Sequence, residues 1–390
     1  MTRDQESTAL IEAVRALAPA ISARGDEIEA GRRVPAELLA QLEELGLFRM
    51  FVPRSHGGLE LDMRAGLDVL EALARADGAT AWTVMIGAET PQVLALLPRA
   101  RFDAIYAGGP DVILGGGSNV QGEAHVVEGG YRVTGRWAFA SGCEHCDWLF
   151  GNCVVMEDGK PRPGPTSEAP ALRGVVFPAS AGKVIDTWRV LGLRGTGSHD
   201  IAVEGVFVPD DHSLDLFGGS PSVAGPGFVA PVLHILAHMA AVAVGIAQGA
   251  LDEAAALARG GKKRLFARAS LAQSPVFQLH LGRAEMDVAA ARALLRATAE
   301  EFWAGCSGDF AAIPAILPRL SAMLAWVAET TARAVDACYR AGGGGAARDA
   351  SPLQRRFRDI HTLTQHAGAA EGFLGQAGAL KLGQATGFWS

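Results

Sequence analysis

Ser141-Gly142 closes a stretch, Tyr131 to Phe139, in which large and polar residues alternate. A hydroxyl at a strand end can hold a ligand; read locally, it is a turn serine. His234-x-x-x-His238 puts two imidazoles on one helix face. A metalloprotease pair needs a glutamate beside the first histidine, and Ile235 stands there, so the two read as core or pocket lining. Cys143-x-x-Cys146 encloses His145, with Cys153 beyond. A structural zinc site takes two spaced pairs, and Cys306 and Cys338 fall in distant helical stretches, so no metal is expected. Gly342-x-Gly344-x-x-Ala347 loosely fits a dinucleotide turn, but that turn must follow a strand and this one follows helical pattern. Gly115-Gly116-Gly117 fails the spacing. No nicotinamide domain is expected.

Three regimes position these residues: an N-terminal helical domain (1–110), a middle β domain (111–212) and a C-terminal helical bundle (213–390). In the first, helical spacing runs from Leu10 to Ile28, Pro35 opens a helix that Gly46 ends, and helices are expected over 64–75 and 79–97. In the second the period becomes two. Glu128-Gly129-Gly130 is a hairpin signal before the strand Tyr131–Phe139, and strands are expected at 174–177, 184–188 and 200–208. In the third, Leu281, Val288, Leu295 and Phe302 recur every seven residues beside small Ala284 and Ala291, a helix-packing stripe. A last helix begins near Pro352.

Composition narrows the classes. The 390 residues are 49% apolar and 20% charged, material for two or three domains and not for a disordered chain. A net charge of −7, with the basic cluster Lys262-Lys263-Arg264 read as a solvated helix end, argues against nucleic-acid binding. Five cysteines make no disulfide scaffold. The N-terminus lacks an apolar signal core, and a cytoplasmic location is expected. From Leu216 to Leu251 there is no charged residue. Pro221, Pro226, Pro231, Gln248 and the two histidines favour a helix buried in a bundle over a membrane span, and no membrane partner is expected.

Several longer motifs, in order along nearly the whole chain, resemble the acyl-CoA dehydrogenase superfamily. Leu45-Gly46-Leu47 to Val52-Pro53, followed by His56-Gly57-Gly58, is similar to its N-terminal entry. Gly135 to Gly142 looks like its flavin strand, and Asp186 to Ser198 with Val206-Phe207-Val208-Pro209 like the β segment that follows. Pro352 to His361 resembles the start of its last helix. The resemblance implies a mainly α fold with a central β domain: helical N-domain, β-barrel-like middle domain, C-terminal four-helix bundle.

One position separates the branches. In the dehydrogenases the catalytic glutamate stands eight residues after the aspartate of the Arg-Asp motif. Counting from Asp359 reaches Ala367, which accepts no proton, with His366 just before it. Gln365-His366 and the Ser141-Gly142 strand end are similar to the flavin-dependent monooxygenase branch. That branch holds the oxygenase components of 4-hydroxyphenylacetate hydroxylase and of the steroid-degradation phenol hydroxylase, and dibenzothiophene monooxygenase.

The resemblance implies reduced FMN or FAD supplied by a separate NAD(P)H flavin reductase, O2 as co-substrate, and a C4a-(hydro)peroxyflavin that oxygenates an aromatic or heteroaromatic small molecule. It assigns Ser141 to the flavin N5 region and His366 to the neighbourhood of C4a and substrate. Trp137, Phe139 and Ala140 are expected to line the flavin by strand position, and Arg264 to meet its phosphate. Phenol hydroxylases of the branch often carry a histidine where Thr90 stands, so a phenolic substrate is not implied. Trp82, Thr90, Phe228, His234 and His238 are the expected pocket. A homo-oligomer, a tetramer by preference, is also implied. The rivals are an acyl-thioester dehydrogenase or oxidase with Glu371 as a displaced base, and a flavin-fold scaffold that binds no flavin.

Overall fold

A computed structural model describes residues 3–165, 169–263, 267–308 and 310–384; Arg264 lies outside them. Seven helices come first: α1 (Arg3–Ala23), α2 (Gly25–Gly31), α3 (Ala36–Glu44), α4 (Met63–Ala76), α5 (Gly78–Ala88), α6 (Thr90–Leu94) and α7 (Arg99–Tyr106). Gly46, at φ +82°, lets the chain turn out of α3 where a side chain would be strained. Asp77 caps α5 by accepting from the Thr80 amide. The single helix expected over 79–97 is two helices, broken at Glu89, with Pro91 in the first turn of α6.

The strands are β1 (Leu114–Val127), β2 (Gly130–Ala140), β3 (Trp148–Glu157), β4 (Lys160–Pro161), β5 (Leu172–Pro178), β6 (Lys183–Ile185), β7 (His199–Pro209) and β8 (Ser213–Leu214). They form one mixed sheet in the order β6-β7-β2-β1-β3-β5-β8, with β4 on β3. The β1–β3 pair is parallel, while β2 runs antiparallel to β1 and β7, and β5 to β3. The sheet curls around a core drawn from β2, β3, β5 and β7, including Trp137, Cys153, Val175 and Ile201. Strands β1 and β3 fall outside the expected set, because their glycines (115–117, 122 and 151) blur the alternation.

Five helices follow: α8 (His234–Arg259), α9 (Pro275–Ser307), α10 (Ile313–Gly342), α11 (Pro352–Leu363) and α12 (Gly372–Lys381). The charge-free segment becomes α8. Residues Pro231–Arg259 are long and apolar enough to cross a membrane, and 72% of their most apolar window is buried by other elements. A Cβ at Gly245 would lie 2.5 Å from Ala74 and from the Glu71 carbonyl, so glycine lets α8 sit directly on α4. Val288, Leu295 and Phe302 of the α9 stripe are buried. Val14, Leu70, Val244, Leu295 and Leu324 share one core, so N-terminal and C-terminal helices pack as a single helical body.

Candidate active site

The end of β2 is bent by a bulge. Pairing with β7 shifts register between Trp137 and Ala140, and Phe139 adopts φ +66°, a left-handed conformation rare for an aromatic residue. Trp137 and Phe139, two apart, would share a face on a regular strand. The bulge parts them. Trp137 is fully buried, whereas Phe139 is 64% exposed with the Trp188 ring edge-on at 6.2 Å. Just beyond, Ser141 turns inward and is buried.

The Ser141 hydroxyl belongs to a chain of hydrogen bonds whose direction can be worked out. Thr196 Oγ1 donates to the Leu193 carbonyl at 2.8 Å. A hydroxyl has one proton, so in the 2.7 Å Thr196–Ser198 contact Ser198 donates. By the same rule Ser141 donates to Ser198 at 2.7 Å. The indole Nε1–H of Trp82 donates to Ser141 at 3.1 Å. The chain runs Trp82, Ser141, Ser198, Thr196, Leu193 carbonyl. Ser141 keeps one lone pair and no free proton, so toward a ligand it is an acceptor.

His366 also meets Trp82, with ring centroids 5.7 Å apart and planes at 60°. It lies past the end of α11, in the turn before α12, where Nδ1 accepts the Gly368 amide at 3.1 Å. That bond places the neutral ring's proton on Nε2. One side of the ring is open to solvent, yet the protein packed around the other holds its pKa below the ordinary histidine value. His366 is therefore a neutral donor at pH 7.

The motif before it is a fastening. Arg356 donates to the carbonyls of Ala74, Arg75 and Ala76 at the end of α4. Arg358 binds Glu29 and the Leu191 carbonyl. Asp359 accepts the Leu193 amide at 2.6 Å, gripping the residue whose carbonyl ends the hydroxyl chain. Burial, with Asp77 nearby, pushes Asp359 up to about 7.

A second site opens two turns along α5. A cavity of about 280 Å³ is lined by Phe51, Gln92, Phe228, His234, His238 and Trp303, among others. His238 stacks on Phe51 at 4.9 Å and shares a hydrogen bond through Nδ1 with buried Glu89. Burial raises the Glu89 pKa and, with His238 beside it, lowers that of His234 to about 3.

Residues 4–97 match the family described as acyl-CoA dehydrogenase, N-terminal domain, and residues 237–371 its C-terminal domain. Indole-3-acetate monooxygenase of Pseudomonas putida is 31% identical over 93% of this chain and 90% of its own. The flavin-dependent monooxygenase oxygenase subunit HsaA of Rhodococcus jostii is 32% identical, covering 90% of this chain and 92% of its own. The chain belongs to the flavin-dependent monooxygenase branch of the acyl-CoA dehydrogenase superfamily. Its backbone superposes on the crystal structure of the 3-HSA hydroxylase from Rhodococcus sp. RHA1 with TM-score 0.87, at 26% identity and 97% coverage of both chains.

Within this monooxygenase fold Ser141, His366 and Trp82 converge. Phe228, His234 and His238 gather in the separate cavity. Three expectations need correction. Trp137 is fully buried in the β core: its ring fills space that glycines vacate, a Cβ at Gly122 or Gly151 falling 2.3 Å from it, and its Nε1 donates to the Asn152 carbonyl. The Ala140 methyl lies in the same β core. Thr90 is not in the lining of that cavity; its hydroxyl donates to the Gly87 carbonyl and accepts the Leu114 amide, tying α6 to β1.

Two residues of consequence escape a reading of the sequence. Glu89 is the only charged residue between Asp77 and Arg99, a signal that was readable. Ser198 stands inside a recognised motif with nothing local to mark it.

A reduced flavin fits the residues present. Phe139 offers an exposed ring face, and Ser141 offers an acceptor with no proton to give, which suits the N–H that reduced flavin carries at N5 and oxidised flavin lacks. Glu371, the displaced base of the rival reading, stands at the start of α12 and lines a groove with Asp336 and His361, apart from the Ser141 cluster.

Proposed function

We propose that this chain is the oxygenase component of a two-component system, using reduced FMN or FAD from a separate NAD(P)H reductase and O2 to oxygenate an aromatic or heteroaromatic small molecule. The observation that carries it is that Ser141 and His366 both contact the one Trp82 side chain. When bound, reduced flavin supplies the two electrons that activate O2. The chain's own residues supply the rest. Ser141 would accept from the flavin N–H, and the Trp82 hydrogen bond fixes its hydroxyl for that task. His366 offers its Nε2–H as a hydrogen-bond donor and, being neutral, does so without bringing in a charge.

Ala367 in the base position, and Glu371 facing elsewhere, speak against chemistry on an acyl thioester. A cytoplasmic homotetramer is part of the proposal. The apolar stretch around α10, only 44% buried within one chain, supports an oligomer.

The test is oxygen uptake by the purified chain with NADH. Uptake that appears only when a flavin reductase is added, with product from an aromatic substrate, is the expected result. NADH oxidation by the chain alone, or flavin reduced anaerobically by an acyl-CoA, overturns the proposal.

A further inference from the structure

Among the described residues, three buried polar atoms at the second cavity have no hydrogen-bond partner: His234 Nε2, His238 Nε2 and Gln92 Oε1. Their residues are 2%, 1% and 2% exposed. An orphaned buried polar atom is unfavourable, and three around one cavity of about 280 Å³ point to a polar ligand that satisfies them. We propose that His238, held by Glu89, is the specificity-determining donor for an uncharged hydroxyl group on an elongated aromatic substrate, an inference that rests on the oxygenase reading above.

The proton count decides donor or acceptor. Burial disfavours an isolated charge, so the Glu89–His238 pair keeps zero net charge. It does so either as carboxylic acid with neutral imidazole or as carboxylate with imidazolium. Nδ1 faces Glu89 in both forms, and in both Nε2 carries a proton. His238 therefore presents an N–H. Gln92 Oε1 presents an acceptor, and neutral His234 completes the set. A hydroxyl accepts from the first and donates to the second.

A carboxylate is the wrong partner. The described lining includes Glu60 and Asp62 at the cavity and no lysine or arginine. The chemistry therefore selects against an aromatic acid.

The position sets the length. Glu89, the residue that ends α5, is seven residues from Trp82 on that helix, about two turns. At 1.5 Å per residue the hydroxyl anchor lies roughly 10 Å along the helix from the Ser141 cluster. With its hydroxyl at His238, a substrate would reach the Ser141 cluster only if it is about two rings long.

The experiment is calorimetric titration of the flavin-free protein with 2-naphthol, 2-methylnaphthalene and 2-naphthoate. Wild type should bind 2-naphthol about tenfold or more tighter than 2-methylnaphthalene, with 2-naphthoate weakest. His238→Phe, which keeps the stacking on Phe51, should erase the hydroxyl preference without weakening 2-methylnaphthalene. A merely structural role would weaken both ligands together. Gln92→Leu, which leaves the Glu89–His238 pair intact, should reduce the same ratio and serves if His238→Phe does not fold. Preference for 2-naphthoate, no measurable binding of any of the three, or an unchanged ratio in the variants overturns the assignment. Product formed with reductase on the same preparations is read separately, so the oxygenase reading can stand where this inference falls.

Discussion

The indole N–H of Trp82 donates to the Ser141 hydroxyl at 3.1 Å and fixes which way that hydroxyl can act. With its proton committed to Ser198, Ser141 can only accept from a ligand. The polarity is relayed from Thr196 and the Leu193 carbonyl, residues that touch no ligand themselves. With the proposed flavin N5 at Ser141, this wiring would favour the reduced state, because N5 is a donor in that state and an acceptor in the oxidised one.

Ser198→Ala should weaken that discrimination. Without its acceptor, the Ser141 proton is free to turn toward the ligand. Binding of oxidised flavin should gain on binding of reduced flavin, narrowing the ratio of their dissociation constants by about 5- to 10-fold, the worth of roughly 1 kcal/mol. The ratio is read by fluorescence for oxidised flavin and anaerobic titration for reduced flavin. An unchanged ratio would refute the assigned direction of the chain.

Ser141→Ala should keep the fold and lose coupling. It leaves the buried Trp82 N–H without its acceptor and the flavin without its partner, a loss of roughly 1–3 kcal/mol. That is about 5- to 150-fold in the ratio of product to released H2O2. Full coupling in the variant would return Ser141 to the role of a turn serine.

His366→Ala should bind reduced flavin as before but release H2O2 in place of product. Losing a hydrogen-bond donor to a buried reacting group costs roughly 1–3 kcal/mol, about 5- to 150-fold in that partition. Because its surroundings hold the His366 pKa below the usual histidine range, the wild-type rate should stay level as pH falls through 6.5, the imidazole remaining neutral. An acid limb centred at or above 6.5 and assigned to this residue by its loss in the alanine variant would contradict the neutral-donor role.

How far the sequence reached can be judged at particular residues. The alternation leading to Ser141 was readable because period two survives a half-buried strand. That Trp137 and Phe139 face opposite ways was not, since the bulge at Phe139 depends on pairing with β7, about 60 residues away. His366 is found by counting from a motif whose arginines and aspartate turn out to fasten α11 to α4 and to the Leu193 loop. The Glu89–His238 pair joins residues 149 apart, and only the packing of α8 beside α5 brings them together. Glu89 signalled itself as a lone charge in an apolar stretch; its partner did not.

Asp359 yields the last prediction, on stability. Its carboxyl is buried, with Asp77 and Glu29 adding negative charge and Arg356 opposing them, and its pKa rises from 3.8 to about 7. The folded chain thus holds this proton more tightly than the unfolded one. Below pH 3.8 both states are protonated and the group costs nothing. As pH climbs from about 4 to 7 the unfolded state releases the proton while the folded state retains it, so stability is lost across that window and stays lost above it. An asparagine in its place would not titrate, and the amide oxygen could still accept the Leu193 N–H. Asp359→Asn should therefore match wild type near pH 4 and exceed it at pH 8 by on the order of 2–4 kcal/mol, at ~1.4 kcal/mol per pKa unit. Urea unfolding at pH 4.5 and pH 8 reads the difference. A variant less stable than wild type at pH 8 would mean that Asp359 is ionised in the folded protein and that its charge, rather than its oxygen, holds Leu193.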